Sequence, residues 1–284
     1  MTEHQLFPDI SLIFSEAPGG EPSAGPGALE IYYCTKGRRE FTIGQQCYYL
    51  TEGIALIRKA PGGESGGSFP TGEYAGLKLV IGSAAEGSGY LEGVDLRASA
   101  LMGSSQAEDC LMIRPEGALL GAFTELAGAE PDAPAGWLRL KAVELLMTLS
   151  NSPLTSCAKD HRCPADQVTC AKKACRWACA SLNEHFTIAE LSQVSGLAST
   201  RLKAAFRMVY GSSVYSYIRR RKMLAAGRLL RETDRTVLDI AVEVGYFNGS
   251  KFAKAFKEEI GLSPREYRAS SSDQMEPSAV QKAV

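Results

Sequence analysis

Two segments near the C-terminal end of the chain carry nearly the same residue pattern, with equivalent residues 49 or 50 positions apart. The first segment is Thr187–Arg219 and the second is Thr236–Arg268. The matched pairs are Thr187 with Thr236, Leu191 with Ile240, Gly196 with Gly245, Phe206 with Phe256, Gly211 with Gly261, and Tyr217 with Tyr267. A compact duplication of this kind predicts two similar folding units in tandem.

Each segment has the apolar spacing of two short helices separated by a glycine turn. In the first segment the apolar residues are Ile188 and Leu191 before Gly196, then Leu202, Ala205, Phe206 and Val209. In the second they are Val237, Ile240, Ala241 and Val244 before Gly245, then Phe252, Ala255, Phe256 and Ile260. We therefore predict two helix-turn-helix units whose apolar stripes pack the helices together.

The opposite face of each second helix carries small, hydroxylated or basic residues. At about 100° per residue this face holds Thr200, Lys203, Ala204 and Arg207 in one unit, and Ser250, Ala253, Lys254 and Lys257 in the other. Such side chains suit a helix in the major groove of DNA, where bulk blocks approach and cations neutralise phosphates.

Charge is distributed very unevenly along the chain. Residues 170–270 contain 18 Lys and Arg against 9 Asp and Glu, whereas residues 1–169 contain 12 against 21. The formal net charge of −1 therefore conceals a cationic C-terminal third. Affinity for nucleic acid depends on the local field within a Debye length, roughly 8 Å at physiological salt, so the basic third favours a nucleic-acid partner.

A single helix is predicted between the two units, over Val214–Arg231. Its 18 residues would span about 27 Å, and successive major-groove faces lie about 34 Å apart. The helix could therefore set two DNA-reading units one helical turn apart. The basic run Arg219–Lys222 near its start is open to two interpretations, phosphate contact or an ordinary solvated face.

Residues 172–268 resemble the DNA-binding domain of the AraC/XylS family of bacterial transcription regulators. The residues that carry the resemblance are Gly245, Tyr246, Asn248, Ser250, Lys251, Phe252, Ala255, Phe256, Gly261, Ser263, Pro264, Tyr267 and Arg268. The resemblance implies a seven-helix domain that binds one face of promoter DNA with two recognition helices. The chain departs from the family pattern at Ser195, Ala198 and Gly249, and we expect Ser199 or Thr200 to replace the helix cap missing at Ala198.

Helix geometry and the family pattern together nominate ten DNA-binding residues. They are Ser199, Thr200, Arg201, Lys203, Arg207, Asn248, Ser250, Lys251, Lys254 and Lys257. The alternative, a helical bundle with no nucleic-acid role, does not explain the excess positive charge.

The first 150 residues alternate apolar and polar residues in short runs that predict strands, with Gly37, Gly44 and Gly53 at turns. The runs begin at Leu29, Arg39, Gln46, Ile54 and Tyr74. Loops are predicted over residues 17–28 and from Pro61, and an amphipathic helix over Trp137–Ser150. In the family such a helix follows a cupin-like barrel and supports dimer contacts; alternatively its stripe only covers the barrel.

The predicted fold class is α+β, with an N-terminal antiparallel β barrel and an all-α C-terminal domain. We predict a cupin-like sensor and dimerisation domain over 1–150, a linker over 151–168, the double helix-turn-helix domain over 169–270 and a disordered tail over 271–284. The linker assignment depends on two prolines and the lack of a period in 151–167.

Eight cysteines are unusual for the cytoplasmic location that we expect from the lack of a signal core or an 18-residue apolar run. Cys34, Cys47 and Cys110 suit apolar packing. Cys157, Cys163, Cys170, Cys175 and Cys179 cluster in sequence around His161 without paired CxxC motifs. Packing is favoured for this cluster; the alternative is a thiol- or metal-responsive sensor, with Cys163, Cys170, Cys175 and Cys179 as candidate ligands.

Catalysis is disfavoured, and no cofactor is predicted. A cupin-type metal enzyme needs histidine and carboxylate ligands on adjacent strands, and His4, His161 and His185 lie outside the predicted strands. Nucleophile-elbow and phosphate-loop patterns are also absent from the sequence.

The expected partners are double-stranded promoter DNA, a small-molecule effector, RNA polymerase and a second copy of the chain, with no membrane. Tyr32, Tyr33, Tyr48, Tyr49, Arg38 and Arg39 are either effector-pocket residues or barrel core and surface.

Overall fold

The computed structural model of the protein describes residues 1–16, 24–61, 67–82, 85, 110–130 and 132–272. The chain divides into two compact units, Met1–Ala165 and Asp166–Val284. Most of the predicted loop over 17–28, part of the loop after Pro61 and nearly all of the predicted tail lie outside the described residues.

The first unit is built on an antiparallel sheet. Its strands are β1 (Thr2–Phe7), β2 (Ile10–Glu16), β3 (Leu29–Ile43), β4 (Gln46–Thr51), β5 (Ala55–Lys59), β6 (Gly67–Ser68), β7 (Tyr74–Ile81), β8 (Cys110–Ile113) and β9 (Arg162–Pro164). The hydrogen-bonded order is β1-β2-β7-β3-β4-β9, with β5 and β6 also paired to β3 and β8 paired to β5. The predicted antiparallel sheet is therefore confirmed.

The predicted closure into a cupin-like barrel is not confirmed. Strands β1 and β9 lie at opposite ends of the order, and within the described residues the sheet does not close. Closure depends on strand tilt and stagger, which local alternation of residues does not encode. Strands β1, β2, β6 and β8 were not predicted either. Strand β6 lies within the loop predicted from Pro61, and His4, expected outside the strands, lies within β1.

Strand β3 is one long bent strand, where the sequence pattern suggested two strands joined by a turn at Gly37. Its first part pairs with β5 and β7, its second part pairs with β4 and β6, and its register with β7 shifts between Cys34 and Lys36. Gly37 has a φ of 77°, and a Cβ there would overlap the carbonyl oxygen of Glu73. Glycine therefore permits a bend with close backbone approach here.

Two helices, α1 (Gly117–Ala127) and α2 (Ala135–Asn151), cover one face of the sheet. The predicted helix over Trp137–Ser150 is confirmed as α2. Its apolar stripe is fully buried, at Leu138, Ala142, Leu145, Leu146 and Leu149. The stripe thus covers the sheet, and the dimer contact expected from the family stays a prediction.

The predicted linker contains structure that belongs to the first unit. A short 3₁₀ helix, Ala158–His161, leads into β9, which pairs with β4. The boundary between the two compact units lies after Ala165, within the predicted linker of 151–168. A pairing between residues so distant in sequence cannot be read from local composition.

In its described part, the second unit consists of seven helices, as the family resemblance implied. They are α3 (Ala165–Ala180), α4 (Ile188–Ser195), α5 (Ser199–Tyr210), α6 (Val214–Glu232), α7 (Val237–Glu243), α8 (Gly249–Ile260) and α9 (Pro264–Ser272). The duplicated segments form the pairs α4–α5 and α7–α8, and α6 is the helix predicted between them. None of the helices in the described ranges is long and apolar enough to cross a membrane.

Candidate nucleic-acid interface

The first helix of each repeated pair begins at the matched threonine. The amide of Glu190 donates to Thr187 Oγ1 at 3.2 Å, and the amide of Thr187 donates to Glu190 Oε2 at 2.7 Å. In the second copy the amide of Asp239 donates to Thr236 Oγ1 at 3.1 Å. These bonds satisfy amides that a helix start leaves unpaired, so the matched threonines fix where each unit begins.

The turns within the two pairs use the matched glycines. Gly196 ends α4 with a φ of 76°, and Gly245 follows α7 with a φ of 83°. Both values lie in the left-handed region, which side chains other than glycine rarely adopt. The position of the following helix in each unit is therefore set by a residue that the repeat preserves.

The second helices, α5 and α8, bury the same kind of face. Leu202 and Phe206 in α5, and Phe252 and Phe256 in α8, are fully buried. Phe206 contacts Tyr217 edge-on with ring centroids 5.7 Å apart, and Phe256 contacts Tyr267 edge-on at 5.4 Å. The tyrosines of the repeat thus fix the inner faces of α5 and α8 and direct the other face outward.

The ten nominated residues lie on α5, on α8 or at the helix starts, and nine of them are exposed. The exposed ones are Thr200, Arg201, Lys203, Arg207, Asn248, Ser250, Lys251, Lys254 and Lys257, whereas Ser199 is half-buried. None of the six basic side chains in this set has a carboxylate within ion-pair distance among the described residues. These side chains therefore form no salt bridge among the described residues, and of them Lys257 lies near enough to Glu266 to interact with its carboxylate charge.

The two helices begin differently. Asn248 caps α8, because its Oδ1 accepts a hydrogen bond from the amide of Lys251 at 2.9 Å. Ala198 precedes α5 without a side-chain cap, and the expected replacement by Ser199 or Thr200 is wrong. Both residues already lie inside the helix, past the position from which a side chain caps it.

The residues of the basic run at the start of α6 do not share one role. Neither phosphate contact nor an ordinary solvated face describes the whole run. Arg219 donates to Glu259 Oε1 and to Glu258 Oε2, each at 2.9 Å, and so ties α6 to α8. Lys222 is buried. A sequence signal was available for Lys222, since it falls four residues after Ile218, within the apolar stripe of the helix.

Two residues of the family pattern hold the end of α6. The guanidinium carbon of Arg231 lies 4.3 Å from the ring centroid of Tyr267. Arg268 Nε donates to the carbonyl of Leu230 at 3.2 Å, and its Nη2 donates to that of Arg235 at 2.6 Å. The conspicuous Tyr-Arg pair at the end of the repeat is thus structural, a role that sequence reasoning missed.

The four candidate metal ligands are not brought together. Cys163 lies opposite Cys47 in the β4–β9 pairing, whereas Cys170, Cys175 and Cys179 lie on α3. The described residues contain no group of three or more His, Cys, Asp or Glu side chains that could hold a metal ion.

Cys175 and Cys179 nonetheless form a close pair of thiols. The hydrogen bond from Cys175 lowers the pKa of Cys179 to about 7, and Arg221 adds to this effect. The same bond, together with burial, raises the pKa of Cys175. The pair therefore contains one thiol that ionises near neutral pH beside one that does not.

The face of the first unit's sheet that α1 and α2 do not cover, which we call the inner face, holds charged residues. Arg58 Nε and Lys78 Nζ each donate to the carboxylate of Glu30 at 2.8 Å, and all three side chains are buried. The guanidinium of Arg39 lies 5.0 Å from the ring centroid of Tyr32 and 4.7 Å from that of Phe41. The suggested pocket residues Tyr32, Tyr33, Tyr48, Tyr49 and Arg39 are buried, and Arg38 is half-buried. Tyr33 differs from Tyr32 because it lies on the face that α1 and α2 cover and stacks on Phe123.

Comparison with known proteins finds matches to the second unit. A family model described as a helix-turn-helix domain matches residues 191–270. The transcriptional activator AarP of Providencia stuartii is 34% identical over 94 residues, covering 33% of this chain and 70% of AarP. The regulatory protein SoxS of Salmonella typhimurium is 32% identical over 92 residues, covering 32% of this chain and 86% of SoxS. Among solved structures, the DNA-binding domain of AdpA in complex with a target DNA is 25% identical, with a TM-score of 0.35, and covers 37% of this chain and 95% of that one.

Proposed function

Because the chain belongs to the AraC/XylS family of DNA-binding transcription regulators, we propose that α5 and α8 read promoter DNA in two successive major grooves. The observation that carries this proposal is the repeated exposed face of α5 and α8, whose six cations form no salt bridge with any described residue. Helix α6 spaces the two helix-turn-helix pairs, α4–α5 and α7–α8. Its 19 residues span about 28 Å, and successive major-groove faces lie about 34 Å apart.

The ten nominated residues divide by chemistry. Arg201, Lys203, Arg207, Lys251, Lys254 and Lys257 are proposed to neutralise phosphates or to donate to base edges, and Ser199, Thr200 and Ser250 to approach the groove closely. Asn248 caps α8 with its oxygen, so its amide nitrogen is the group proposed to donate to DNA.

The direct test is binding of the full chain to duplexes selected from a random library. We expect selected duplexes to bind better than random competitor, and binding to weaken steeply with salt. Lys203→Gln and Lys254→Gln should weaken binding to the selected duplex. Lys173 is an exposed residue of α3, so Lys173→Gln is the matched control and should bind as the wild type does. Selection of no preferred duplex even at low salt contradicts the proposal.

The first unit is proposed to sense a small-molecule effector and to pass the signal to the second unit. Support comes from the buried charges Glu30, Arg58 and Lys78, which are costly to bury and so favour a polar role for the inner face of the sheet. We also propose that the first unit is related to cupin-like barrels. Effector binding is expected to change contacts with RNA polymerase, in the cytoplasm where bacterial promoters lie.

Dimerisation through α2 is a further part of the proposal. The helix exposes Leu140 and Met147 on the face away from the sheet. Sedimentation of the wild-type chain and of Leu140→Gln tests it, because the variant should be monomeric at concentrations where the wild type is dimeric.

A thiol-responsive regulator is the second candidate function. The observation that favours it is the Cys175 and Cys179 pair beside Arg221, which provides a thiolate near neutral pH within the DNA-binding unit. Alkylation of Cys179 should then change affinity for the selected duplex, and Cys179→Ser should abolish that response. Unchanged affinity after complete alkylation contradicts this function.

A further inference from the structure

The second unit contains a cavity of about 450 Å³, and most of its lining residues lie outside the proposed reading faces of α5 and α8. It lies between the start of α6, the turn before α8 and the segment before α4. Its apolar walls include Phe186, Tyr215, Ile218 and Phe247. Phe186 and Tyr215 stack with ring centroids 5.5 Å apart and an interplanar angle of 6°. Walls of this kind suit a flat apolar molecule.

The cavity also contains an unbalanced positive charge. Lys222 is only 8% exposed, and no described residue forms an ion pair or hydrogen bond with its ammonium. Burial lowers the pKa of Lys222. Arg219, which also lines the cavity, differs because Glu258 and Glu259 neutralise it. A buried cation without a counter-charge is costly, and a bound anion would offset that cost.

Glycine keeps the space beside Lys222 open. A Cβ at Gly245 would lie 3.0 Å from Lys222 Nζ and 2.9 Å from the carbonyl oxygen of Asn183. Because Gly245 also needs its φ of 83° for the turn, a larger residue there would both strain the backbone and crowd the ammonium.

We propose that this cavity binds a small organic anion whose charged group pairs with Lys222 and whose flat apolar body lies against Phe186 and Tyr215. A DNA phosphate is a poor occupant, because a phosphodiester carries bulky sugars on both sides and Lys222 is buried. The exposed carboxylate of Glu184 on the rim opposes a highly charged ligand and favours a single negative charge.

Occupancy is expected to affect the second helix-turn-helix unit, and this part rests on the proposed DNA-binding function. Asn248 and Lys251 line the cavity, and they also form the cap that starts α8. A ligand at this rim therefore contacts the residues that position the proposed recognition helix. An anion that contacts these residues more favourably when α8 is bound to DNA than when α8 is free raises the affinity for DNA, and the opposite preference lowers it.

Fluorescence titration of the full chain with anilinonaphthalene sulfonate, an aromatic anion, tests the site. The neutral phenylnaphthylamine is the matched probe, and Lys173→Met is the matched control variant. Lys222→Met should weaken the anionic probe at least about tenfold and leave the neutral probe nearly unchanged. Equal affinity of Lys222→Met and wild type for the anion, or equal weakening of both probes, overturns the proposal.

A second variant covers the case in which Lys222→Met fails to fold. Phe247 is 76% exposed, so Phe247→Ala should fold normally and weaken both probes by removing one apolar wall. Unchanged binding of both probes to Phe247→Ala would place them elsewhere and overturn the site.

The coupling is tested with the selected duplex. Saturating anionic probe should change duplex affinity in wild type and in Lys173→Met but not in Lys222→Met. Unchanged affinity in wild type overturns the coupling and leaves the site standing. If no duplex binds at all, the proposed function fails, while the probe titrations still decide the cavity.

Discussion

Replacing Glu30 by Gln should destabilise the first unit strongly. The carboxylate accepts hydrogen bonds from Arg58 and Lys78 at 2.8 Å each, and the side chains of Glu30 and Lys78 are each 1% exposed. Each hydrogen bond to a charged group contributes about 1.5 to 3 kcal/mol. A glutamine keeps the volume but removes the negative charge that both buried cations contact, so we expect a loss of about 3 to 5 kcal/mol.

The two tryptophans allow this loss to be measured in one unit. Trp137 lies in α2 of the first unit and Trp177 in α3 of the second. In a Trp177→Phe background, urea unfolding followed by fluorescence therefore reports on the first unit. Glu73→Gln is the matched control, because Glu73 pairs with Lys36 at 4.0 Å on the surface, where such pairs contribute about 0 to 1 kcal/mol.

The effect should also depend on pH in a defined direction. Burial raises the pKa of Glu30, but the hydrogen bond from Lys78 and the charge of Arg58 outweigh it, and the net pKa lies below its usual value of 4.5. Its stabilising contribution is therefore complete above that pH and is lost as pH falls through the folded-state pKa. A loss below about 1 kcal/mol at neutral pH, no larger than that of Glu73→Gln, would refute the reasoning.

Three further predictions concern the second unit. Lys254→Gln should lower the slope of log affinity for the selected duplex against log salt by about 0.9, whereas Lys173→Gln should not; equal slopes would remove Lys254 from the contacts. Alkylation of Cys179 by iodoacetamide should rise through a pH of about 7, and Arg221→Met should move this midpoint upward; a midpoint near the ordinary thiol value in the wild type contradicts the pairing. Phe256→Ala should cost about 3 to 5 kcal/mol in unfolding followed by Trp177 fluorescence, because the ring is fully buried; a small loss would contradict the packing.

Helices α4 to α8 of the second unit were predictable because their signals are local. Apolar spacing, the threonines that start α4 and α7, and the glycines after them all act within a few residues. The exposed faces of α5 and α8 followed from the same spacing. The contacts of Arg219 and Arg268 were not predictable, because each joins residues more than 30 positions apart.

The first unit was harder to predict for the same physical reason. The alternation around Leu29, Gln46 and Tyr74 predicted strands, but pairing and closure depend on long-range contacts. Strand β9 pairs with β4 across more than 100 residues, which placed structure inside a segment that reads as a linker. The glycine at position 37 reads equally well as a turn or as a bend, and only its contact with Glu73 decides between them.

The spacing of protected DNA tests most directly whether two helices read one duplex together. Hydroxyl-radical footprinting of the selected duplex should show two protected patches on one face, about 10 base pairs apart. Arg207→Gln should weaken only the patch of α5, and Lys254→Gln only that of α8. A single patch, or two patches that weaken together in both variants, would contradict the assignment of one groove to each helix.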